Sequence, residues 1–392
     1  MSCKTATGEN IAMHKVTTAE GLRIYAGSRA DGDVPEETFR AQFADILAHC
    51  PPGLIAGHSF HAISANQPPW LDSGIACAAG ERLSVFVAGR VWMSRELDIW
   101  LHPHLWLWFR IGEQGEVFRG QRCSHSFTAD RAGTLYLGGS FPGEWTSPTG
   151  DLANHDASAM SEGGVVALVV RWQADPLDGL RALARLGDVG RLIACEIDRL
   201  ETEVVLPQGW AYPWNVGTAE AFAVQEGFPA GTPIGCYTKD EVISLNAELD
   251  LDFRPGMKLA WSWKMDKLPS ACREDYLHTH DYIAVAVYFE NVKDLAYYWS
   301  AELPVGTAYQ CPIPKWTDME THVVLRSGQE GLGEWFTEER DIYADYLRWI
   351  GEPPAKITGI WLIALSAFRH GEGQAEIADI RFLTDEGEVR VC

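Results

Sequence analysis

The sequence predicts a mostly β protein in which two β-sandwich domains are joined by a helical connector and preceded by an N-terminal helix. Short apolar segments punctuated by Gly and Pro fill residues 54–173 and again 206–392. Short strands at such regular spacing are typical of sandwiches and jelly rolls. Between the two blocks, residues 174–205 have the apolar spacing of helices. The length of 392 residues also exceeds what one hydrophobic core normally serves, which favours two domains.

The N-terminal extension, residues 1–53, is predicted to contain one amphipathic helix at 35–50. This segment reads PEETFRAQFADILAHC and begins with a proline and two acids. Proline and acidic residues are favoured in the first turn of a helix. Phe39 and Phe43 recur at helical spacing, so the helix is expected to pack against another part of the chain.

Both strand blocks contain segments of alternating or continuous apolar character. The first block includes GERLSVFVAGRVWM and GGVVALVVRW, and the second includes KLAWSWKM, DYIAVAVYF and ITGIWLIALSAF. One helical insert is predicted in the second block, at 337–351, because apolar residues recur on one face before Gly351.

The charge balance excludes two classes of partner. The chain has 32 Lys and Arg against 54 Asp and Glu, a formal net charge of −22. Nucleic acids and anionic membrane surfaces would repel such a protein. No apolar stretch approaches the length needed to cross a bilayer. The expected partner is therefore a small-molecule substrate, and homo-oligomer formation stays open.

The sequence also favours a cytoplasmic location. The N-terminus, MSCKTATGENIAMHK, lacks the apolar core of a signal peptide. The nine cysteines are scattered and odd in number, which indicates free thiols in a reducing compartment.

Residues 102–111, HPHLWLWFRI, are predicted to form a strand with two unlike faces, because side chains alternate along a strand. One face is apolar, whereas the other carries imidazole, indole and guanidinium groups. The second face is interpreted as a binding wall for a flat, partly apolar ligand. Burial of the indoles against the second domain, or a metal on the histidines, remain alternatives. The residues predicted to bind substrate here are His102, His104, Trp106 and Trp108, with Trp145 closing over the ligand from a later loop.

Part of the first block resembles the galactose-binding-like jelly roll of bacterial soluble lectins. The matching text is Asp72-Ser73-Gly74-Ile75, then LWFRIG at 107–112, AGTLYLGGSFPG and GGVVALVV. The resemblance implies a jelly-roll fold. In those lectins an asparagine-rich loop holds calcium, but the corresponding residues here, 139–144, read GSFPGE. This loop lacks the oxygen ligands that calcium requires, so calcium-mediated galactose binding is not expected.

The second block, over 206–385, is similar to a bacterial family known as domain of unknown function 3047. The matching text includes HTHDYIAVAVYF, AYYWSAELPVG, WFTEERDIYADYLRWIGEPP and ITGIWLIALSAF. The resemblance implies a β-sandwich and carries no activity.

The segment HTHDY at 278–282 is the strongest candidate for acid–base chemistry. On a strand, His278 and His280 would share one face, and Asp281 would lie on the other. Two imidazoles at this spacing suit a transition metal or an acid–base pair, and a neighbouring carboxylate can orient an imidazole. A solvated strand entry is the alternative. No cofactor is predicted, although a divalent metal at His278 and His280 stays open.

Further candidate residues lie on two later segments. His322 and Arg326 share one face of ETHVVLRSG, and AYYWSAEL contributes Trp299 and Glu302. If these strands adjoin HTHDY, His280, His322, Arg326 and Glu302 would converge. The alternative is that His322 is a hydrogen-bonded core histidine.

These observations predict a lyase or hydrolase that acts on a small polar cyclic, sugar-like or aromatic, substrate at the junction of the two domains. His280 would be the base, Asp281 its orienting partner, and His278 or His322 the acid. Arg326 would bind an anionic or carbonyl oxygen. No phosphate-binding or dinucleotide-binding loop is present, so a nucleotide cofactor is not expected. The alternatives are a non-catalytic carbohydrate-binding protein and a Trp-mediated structural or assembly protein.

Overall fold

The structure, a computed structural model, describes residues 13–66, 69–152, 161–224 and 231–391. Within these ranges no helix is long and apolar enough to span a membrane. Most of the ordered elements are strands, and their sheets form two β-sandwiches, which confirms the predicted fold class. The domain boundaries deduced from the sequence stay predictions.

The first part of the chain contains both N-terminal helices, the first sandwich and the helical connector. Its elements are β1 (His14–Val16), α1 (Ala19–Gly27), α2 (Glu36–Ala48), β2 (Ile55–Ser64), β3 (Trp70–Cys77), β4 (Arg82–Ser94), β5 (Ile99–Leu101), α3 (Pro103–Trp106), β6 (Leu107–Ile111), β7 (Phe118–Arg119), β8 (Ser124–Thr128), β9 (Gly133–Gly139), β10 (Glu162–Trp172), α4 (Pro176–Ala184) and α5 (Leu192–Glu201).

The second part of the chain is dominated by strands. Its elements are β11 (Thr202–Val204), β12 (Trp210–Ala211), β13 (Phe222–Ala223), β14 (Ile234–Lys239), β15 (Val242–Asp252), β16 (Lys258–Lys267), a 3₁₀ turn (Leu277–Thr279), β17 (Ile283–Phe289), β18 (Asp294–Ser300), β19 (Ala308–Gln310), β20 (Glu320–Ser327), β21 (Trp335–Asp341), α6 (Ile342–Trp349), β22 (Lys356–Leu365), β23 (Glu372–Thr384) and β24 (Gly387–Arg390).

Two sheets of the described residues form each sandwich. In the first, the order β2-β10-β4-β5, with β8 also on β4, faces the order β3-β9-β6-β7. In the second, the order β12-β15-β22-β17-β18-β20-β19 faces β13-β14-β23-β16-β21, with β24 on β23. Strands β1 and β11 pair separately and in parallel.

The seven-stranded sheet of the second sandwich is buried on both faces. Tyr297 and Val285 belong to the core shared with the six-stranded sheet, whereas Tyr298 and Ala284 belong to the core of the first sandwich. Neighbouring residues enter different cores because strand side chains alternate. The two sandwiches are therefore packed together, and Phe141 meets Phe368 across the contact at a ring-centroid distance of 6.4 Å.

The two helices that precede the first sandwich each contact a different sandwich. Helix α1 packs on β14, where a Cβ added to Gly235 would lie 2.3 Å from the backbone nitrogen of Ala19. Helix α2 packs on the first sandwich, with Phe43 5.0 Å from Phe86 between ring centroids. The residues between these helices, 28–35, cross from one sandwich to the other, and we refer to them as the crossing segment.

Two local predictions were wrong. Residues 103–106 form the short helix α3 rather than a strand, and only Leu107–Ile111 is extended. The strand predicted to carry His278 and His280 on one face is instead a 3₁₀ turn at Leu277–Thr279, and β17 begins at Ile283. In the first case Pro103 occupies the first helical position, where its fixed φ is pre-organised for a helix and its missing N–H costs nothing.

Helix α3 removes the two-faced wall that strand periodicity predicts. Leu105 and Trp106 both enter the core of the first sandwich, although alternation would separate them. The indole of Trp106 packs over Gly139, where an added Cβ would lie 1.9 Å from the ring. Glycine is therefore required at 139 by close packing.

The predicted helical insert at 337–351 begins later than expected. Residues 337–341 belong to β21, which pairs with β16, and helix α6 covers Ile342–Trp349. Asp341 caps this helix by accepting a hydrogen bond from the backbone N–H of Ala344. Acidic residues before the cap thus lie on an edge strand rather than in a first helical turn.

Candidate functional site

A cavity of about 240 Å³ lies where the crossing segment meets the two sandwiches. We call it the junction cavity. The first sandwich, the second sandwich and the N-terminal residues all contribute side chains, so the cavity exists only in the assembled chain. Its lining residues are Ala26, Arg29, Ala30, Asp31, Asp33, Arg90, Trp100, His102, His104, Gln121, Arg122, Lys239, Asp240 and His370.

Local backbone geometry places the polar groups of this cavity. His102 and His104 flank Pro103 at the start of α3, directly after β5. Asp240 follows β14 with φ of 50°, and His370 follows β22 with φ of 54°. Positive φ is uncommon in non-glycine residues and stores backbone strain, which persists only where the surroundings enforce it.

One carboxylate in the cavity lies between two imidazoles. Nδ1 of His370 donates to Oδ1 of Asp240 at 2.9 Å, and Nε2 of His102 lies 3.6 Å from the same oxygen. Nδ1 of His102 donates to the backbone oxygen of Asp31 at 2.8 Å. Burial alone would raise the pKa of Asp240, but the two imidazoles outweigh it and hold that pKa below its usual range.

A second carboxylate, that of Glu241, is completely buried beside the cavity. Arg119 Nη2 donates to Oε1 of Glu241 at 3.2 Å, and Arg29 Nη1 and His104 Nε2 each lie 3.7 Å from Oε2. Burial by itself raises the pKa of Glu241, but Arg119 and His104 outweigh it and lower the pKa to about 2. Burial lowers the pKa of His104 despite the opposing effect of Glu241.

The buried charge of Glu241 predicts a defined acid sensitivity. Its pKa is lower in the folded chain than the ordinary 4.5, so its stabilising contribution is complete above pH 4.5 and is lost as pH falls toward 2. At 1.36 kcal/mol per pKa unit the full contribution is roughly 3 kcal/mol.

We expect the free-energy difference of unfolding between the wild type and Glu241→Gln to shrink by roughly 2 kcal/mol between pH 6 and pH 3. Denaturant unfolding at both pH values measures this difference. The exposed Glu36→Gln is the matched control and should show no such change. An unchanged difference for Glu241→Gln would contradict the assignment.

Several buried polar atoms in or beside the wall of the cavity have no hydrogen-bond partner among the described residues. Buried polar groups are almost always paired, and an unpaired one costs about 1–3 kcal/mol. Three of these atoms form one loose group, in which Arg29 Nη1 and His104 Nε2 each lie 3.7 Å from Glu241 Oε2. The other two, Arg122 Nη2 and His370 Nε2, belong to residues that line the cavity, where a polar ligand could supply the missing partner.

A second cluster, entirely within the second sandwich, also gathers potential ligand atoms. His280, Cys311, Glu320 and His322 each offer one atom, and these atoms lie within 4.8 Å of one another. We call this group the buried ligand cluster. Burial lowers the pKa of His280 well below its usual range and raises that of the Cys311 thiol. In the junction cavity, His102, Asp240 and His370 satisfy the same distance criterion.

The structure brings some of the predicted acid–base residues together and separates others. The rings of His280 and His322 meet at a centroid distance of 4.9 Å, as their predicted convergence requires. Arg326 instead donates to Glu338 at 2.6 Å, and Glu302 is exposed beyond the end of β18. His278 stacks on Tyr276, outside the buried ligand cluster.

Asp281 does not orient His280. Its carboxylate accepts hydrogen bonds from the backbone N–H groups of Phe368 and Arg369. Burial raises the pKa of Asp281 to about 6 in spite of these bonds. The group that orients His280 is the backbone oxygen of Glu274, which accepts from Nδ1 at 2.6 Å.

The tryptophans predicted to contact substrate are buried in the protein. Trp108 packs edge-on against Trp145, which stacks on Trp70 at 5.1 Å between centroids. Trp106 lies in the core of the first sandwich. Trp299 lies in that of the second and donates to the backbone oxygen of Gly328. The indole that does line the cavity is Trp100, with the His370 ring stacked on it at 3.8 Å.

Comparison with known proteins bears on the second half of the chain. Residues 229–381 match the family described as "Protein of unknown function (DUF3047)". This match confirms the resemblance deduced from the sequence. Asp240, His370 and the buried ligand cluster lie inside the DUF3047 segment, whereas His102 and Arg122 lie outside it. The junction cavity is therefore shared between the DUF3047 segment and the rest of the chain.

Three solved structures show distant similarity. The lectin-like N-terminal domain of EclA is 17% identical and covers 31% of this chain and 99% of its own, with a TM-score of 0.24. The xyloglucanase domain of NopAA from Sinorhizobium fredii is 7% identical and covers 45% and 93%, with a TM-score of 0.25. The CBM22 tandem of Xyn10C from Paenibacillus barcinonensis is 10% identical and covers 84% and 92%, with a TM-score of 0.23.

Similarity at this level carries no information about substrate. No curated protein matches the chain in sequence.

The sequence offered little signal for the cavity residues that it did not predict. Asp240 and His370 lie in turns between strands, and Arg29 lies in the crossing segment. None of the three belongs to a motif with characteristic spacing. Cys311 and Glu320 bracket an irregular connection before β20, and only the sheet order shows that they face His280.

Proposed function

We propose that the protein is a lyase that removes a proton from a small cyclic substrate bearing a carboxylate, such as a sugar acid, in the junction cavity. The observation that carries the proposal is the cavity itself, where the imidazole of His370 is hydrogen-bonded to Asp240 and lies among guanidinium groups, two of which have a nitrogen without a hydrogen-bond partner among the described residues. The domain junction and the acid–base chemistry agree with the sequence-based prediction. The proposed base moves from His280 to His370.

His370 has the environment of a general base. Because its Nδ1 donates to Asp240, Nε2 is left unprotonated in the neutral ring and has no partner among the described residues. An aspartate in this position fixes the tautomer and stabilises the imidazolium that forms when the base takes a proton. In the proposed step Nε2 of His370 takes the proton next to the substrate carboxylate.

The electron pair of that C–H bond then forms a C=C bond as the neighbouring C–O bond breaks. The leaving oxygen takes up a proton from Nε2 of His102, which must enter this step as the imidazolium because its Nδ1 donates to the backbone oxygen of Asp31. A pair of imidazoles held by one carboxylate thus supplies both proton transfers of an elimination.

The cations of the cavity favour an anionic substrate. The lining holds four cationic residues, Arg29, Arg90, Arg122 and Lys239, against three aspartates, Asp31, Asp33 and Asp240, although the whole chain has a net charge of −22. Arg90 is paired with Asp33 at 3.0 Å and Arg122 with Glu220 at 2.7 Å, but Nη1 of Arg29 and Nη2 of Arg122 have no hydrogen-bond partner in the part of the chain that the structure describes. Guanidinium groups near a carboxylate stabilise the additional negative charge that develops on proton removal.

The volume of the cavity limits the substrate to a small molecule. Pockets for drug-sized ligands measure roughly 300–1,000 Å³, and this cavity is about 240 Å³. A single sugar ring suits this volume better than an oligosaccharide chain.

The experiment is a turnover and binding screen with sugar acids and the corresponding neutral sugars. We expect elimination of sugar acids, detected by the ultraviolet absorbance of the unsaturated product, and no binding of the neutral sugars. Arg29→Met should weaken substrate binding about 10–100-fold, because a charge-assisted hydrogen bond contributes roughly 1.5–3 kcal/mol.

Arg23→Met is the control for this screen, since Arg23 lies on α1 but pairs with Glu20 at the surface. Sugar acids that bind without turnover would favour the carbohydrate-binding alternative. Equal binding of acids and neutral sugars would contradict the role of the cations.

A further inference from the structure

The buried ligand cluster is closed to solvent. His280, Cys311 and His322 have no exposed surface, and Glu320 is 8% exposed. His280 precedes β17, Cys311 follows β19, and the remaining two residues lie on β20. Four side chains from three parts of the chain therefore meet at one point in the interior.

The hydrogen bonding of His280 presents one ring nitrogen to the cluster. Nδ1 must carry the proton, because it donates to the backbone oxygen of Glu274 at 2.6 Å. Nε2 is then a lone-pair donor, and it lies 3.4 Å from Sγ of Cys311. A backbone carbonyl on the outer nitrogen is the usual means by which proteins orient a metal-binding histidine.

His322, unlike His280, has no hydrogen bond at either ring nitrogen in the described part of the chain. Its ring is completely buried, yet neither Nδ1 nor Nε2 has a hydrogen-bond partner among the described residues. Nε2 lies 3.6 Å from Oε2 of Glu320, and the ring of Tyr309 stacks on the imidazole at 5.2 Å. A core histidine would normally have at least one nitrogen hydrogen-bonded. An ion at the centre of the cluster would provide a partner for Nε2 of His322.

Two separations between ligand atoms of the cluster agree with tetrahedral coordination. Metal–nitrogen and metal–oxygen bonds of about 2.0–2.2 Å and a metal–sulfur bond of about 2.3 Å place neighbouring ligand atoms roughly 3.3–3.6 Å apart. The two separations given above, 3.4 Å and 3.6 Å, agree with these edges.

We propose that His280, Cys311, Glu320 and His322 bind one divalent metal ion of the zinc class in a closed, structural site that is separate from the junction cavity. Sulfur and imidazole ligands select such an ion over calcium or magnesium, which prefer oxygen. The thiolate of Cys311 and the carboxylate of Glu320 together carry two negative charges. A divalent cation would neutralise both charges, and buried charges need such compensation. Four protein ligands leave no open position for substrate.

Such an ion would fasten the edge of the seven-stranded sheet. Strands β19 and β20 form that edge, and the segment before β17 is otherwise a 3₁₀ turn and irregular chain. The ion would connect this segment to both edge strands, which explains why polar ligand groups are buried in this part of the interior.

The test is metal analysis of the full chain purified from zinc-supplemented medium. We expect about one zinc per chain in the wild type and loss of nearly all of it in His322→Gln. His278→Gln and Asp240→Asn should both retain the metal, because His278 lies outside the cluster and Asp240 lies in the junction cavity. Metal retention in His322→Gln, or metal loss in Asp240→Asn, would overturn the proposal.

Cobalt provides a readout that does not depend on the folding of a variant. Cobalt added to metal-free wild-type protein should produce a thiolate-to-cobalt charge-transfer band together with tetrahedral d–d bands. Cys311→Ser should lose the charge-transfer band. A wild type that binds neither zinc nor cobalt, or binds cobalt without the thiolate band, would overturn the proposal.

Discussion

Replacing His370 by Asn should lower kcat about 10²–10⁴-fold and leave KM for a sugar acid nearly unchanged. This range is the usual contribution of one general base. Asn is the appropriate substitution because it tolerates the positive φ of 54° at this position better than most residues. Steady-state kinetics across pH 5 to 9 measures the effect.

Asp240→Asn tests the same assignment through the partner of the base. Its amide cannot stabilise an imidazolium as a carboxylate does, so kcat should fall by a similar factor. Asn again suits the backbone, with φ of 50°. Because the two residues act as one unit, the double variant should be scarcely slower than either single variant.

His49→Gln is the control, since His49 is an exposed histidine at the end of α2. Full turnover by His370→Asn would show that His370 is not the general base. Multiplicative losses in the double variant would show that Asp240 acts independently of His370.

Arg119→Met should destabilise the protein by about 3–5 kcal/mol, the usual result of removing one partner from a buried ion pair. The guanidinium has no exposed surface and lies on β7 of the first sandwich. It donates to the backbone oxygen of Val216 at 2.8 Å and to Glu241 at 3.2 Å. The substitution removes a positive charge from beside the carboxylate of Glu241, which stays buried at the contact between the sandwiches.

The double variant Arg119→Met, Glu241→Gln should be more stable than the sum of the two single losses predicts, because neither charge is then left alone. Denaturant unfolding measures all three free energies. Arg95→Met is the surface control, and its exposed pair with Glu162 should contribute less than about 1 kcal/mol. Additive losses would mean that the pair is not coupled.

The architecture could be predicted from the sequence because a strand in a sandwich must bury its apolar side chains, and this requirement produces the apolar pattern of the segment. The apolar runs now in β4 and β10 pair with each other in the first sandwich, and those in β17 and β22 pair in the second. Helix α1 went unpredicted because it is short and contributes only a few buried residues, such as Leu22.

The candidate site was less predictable because it depends on contacts between distant turns. Period-two reasoning failed at 102–106, where Pro103 favours a helical turn over a strand. The convergence of His280 and His322 followed correctly from the assumption that their strands are close, and the sheet order β17-β18-β20 supplies that proximity. Nothing local marks Asp240 as the neighbour of His102, since tertiary packing alone brings them together.

The crossing segment limits how far the two sandwiches can move apart. Its eight residues, 28–35, reach at most roughly 29 Å when fully extended, and α1 and α2 anchor its ends on different sandwiches. A wide hinge opening of the junction cavity would straighten this tether or pull α1 from the sheet. The proposed site therefore has a built-in limit on opening, which is set by the length of this segment as long as both anchors stay in place.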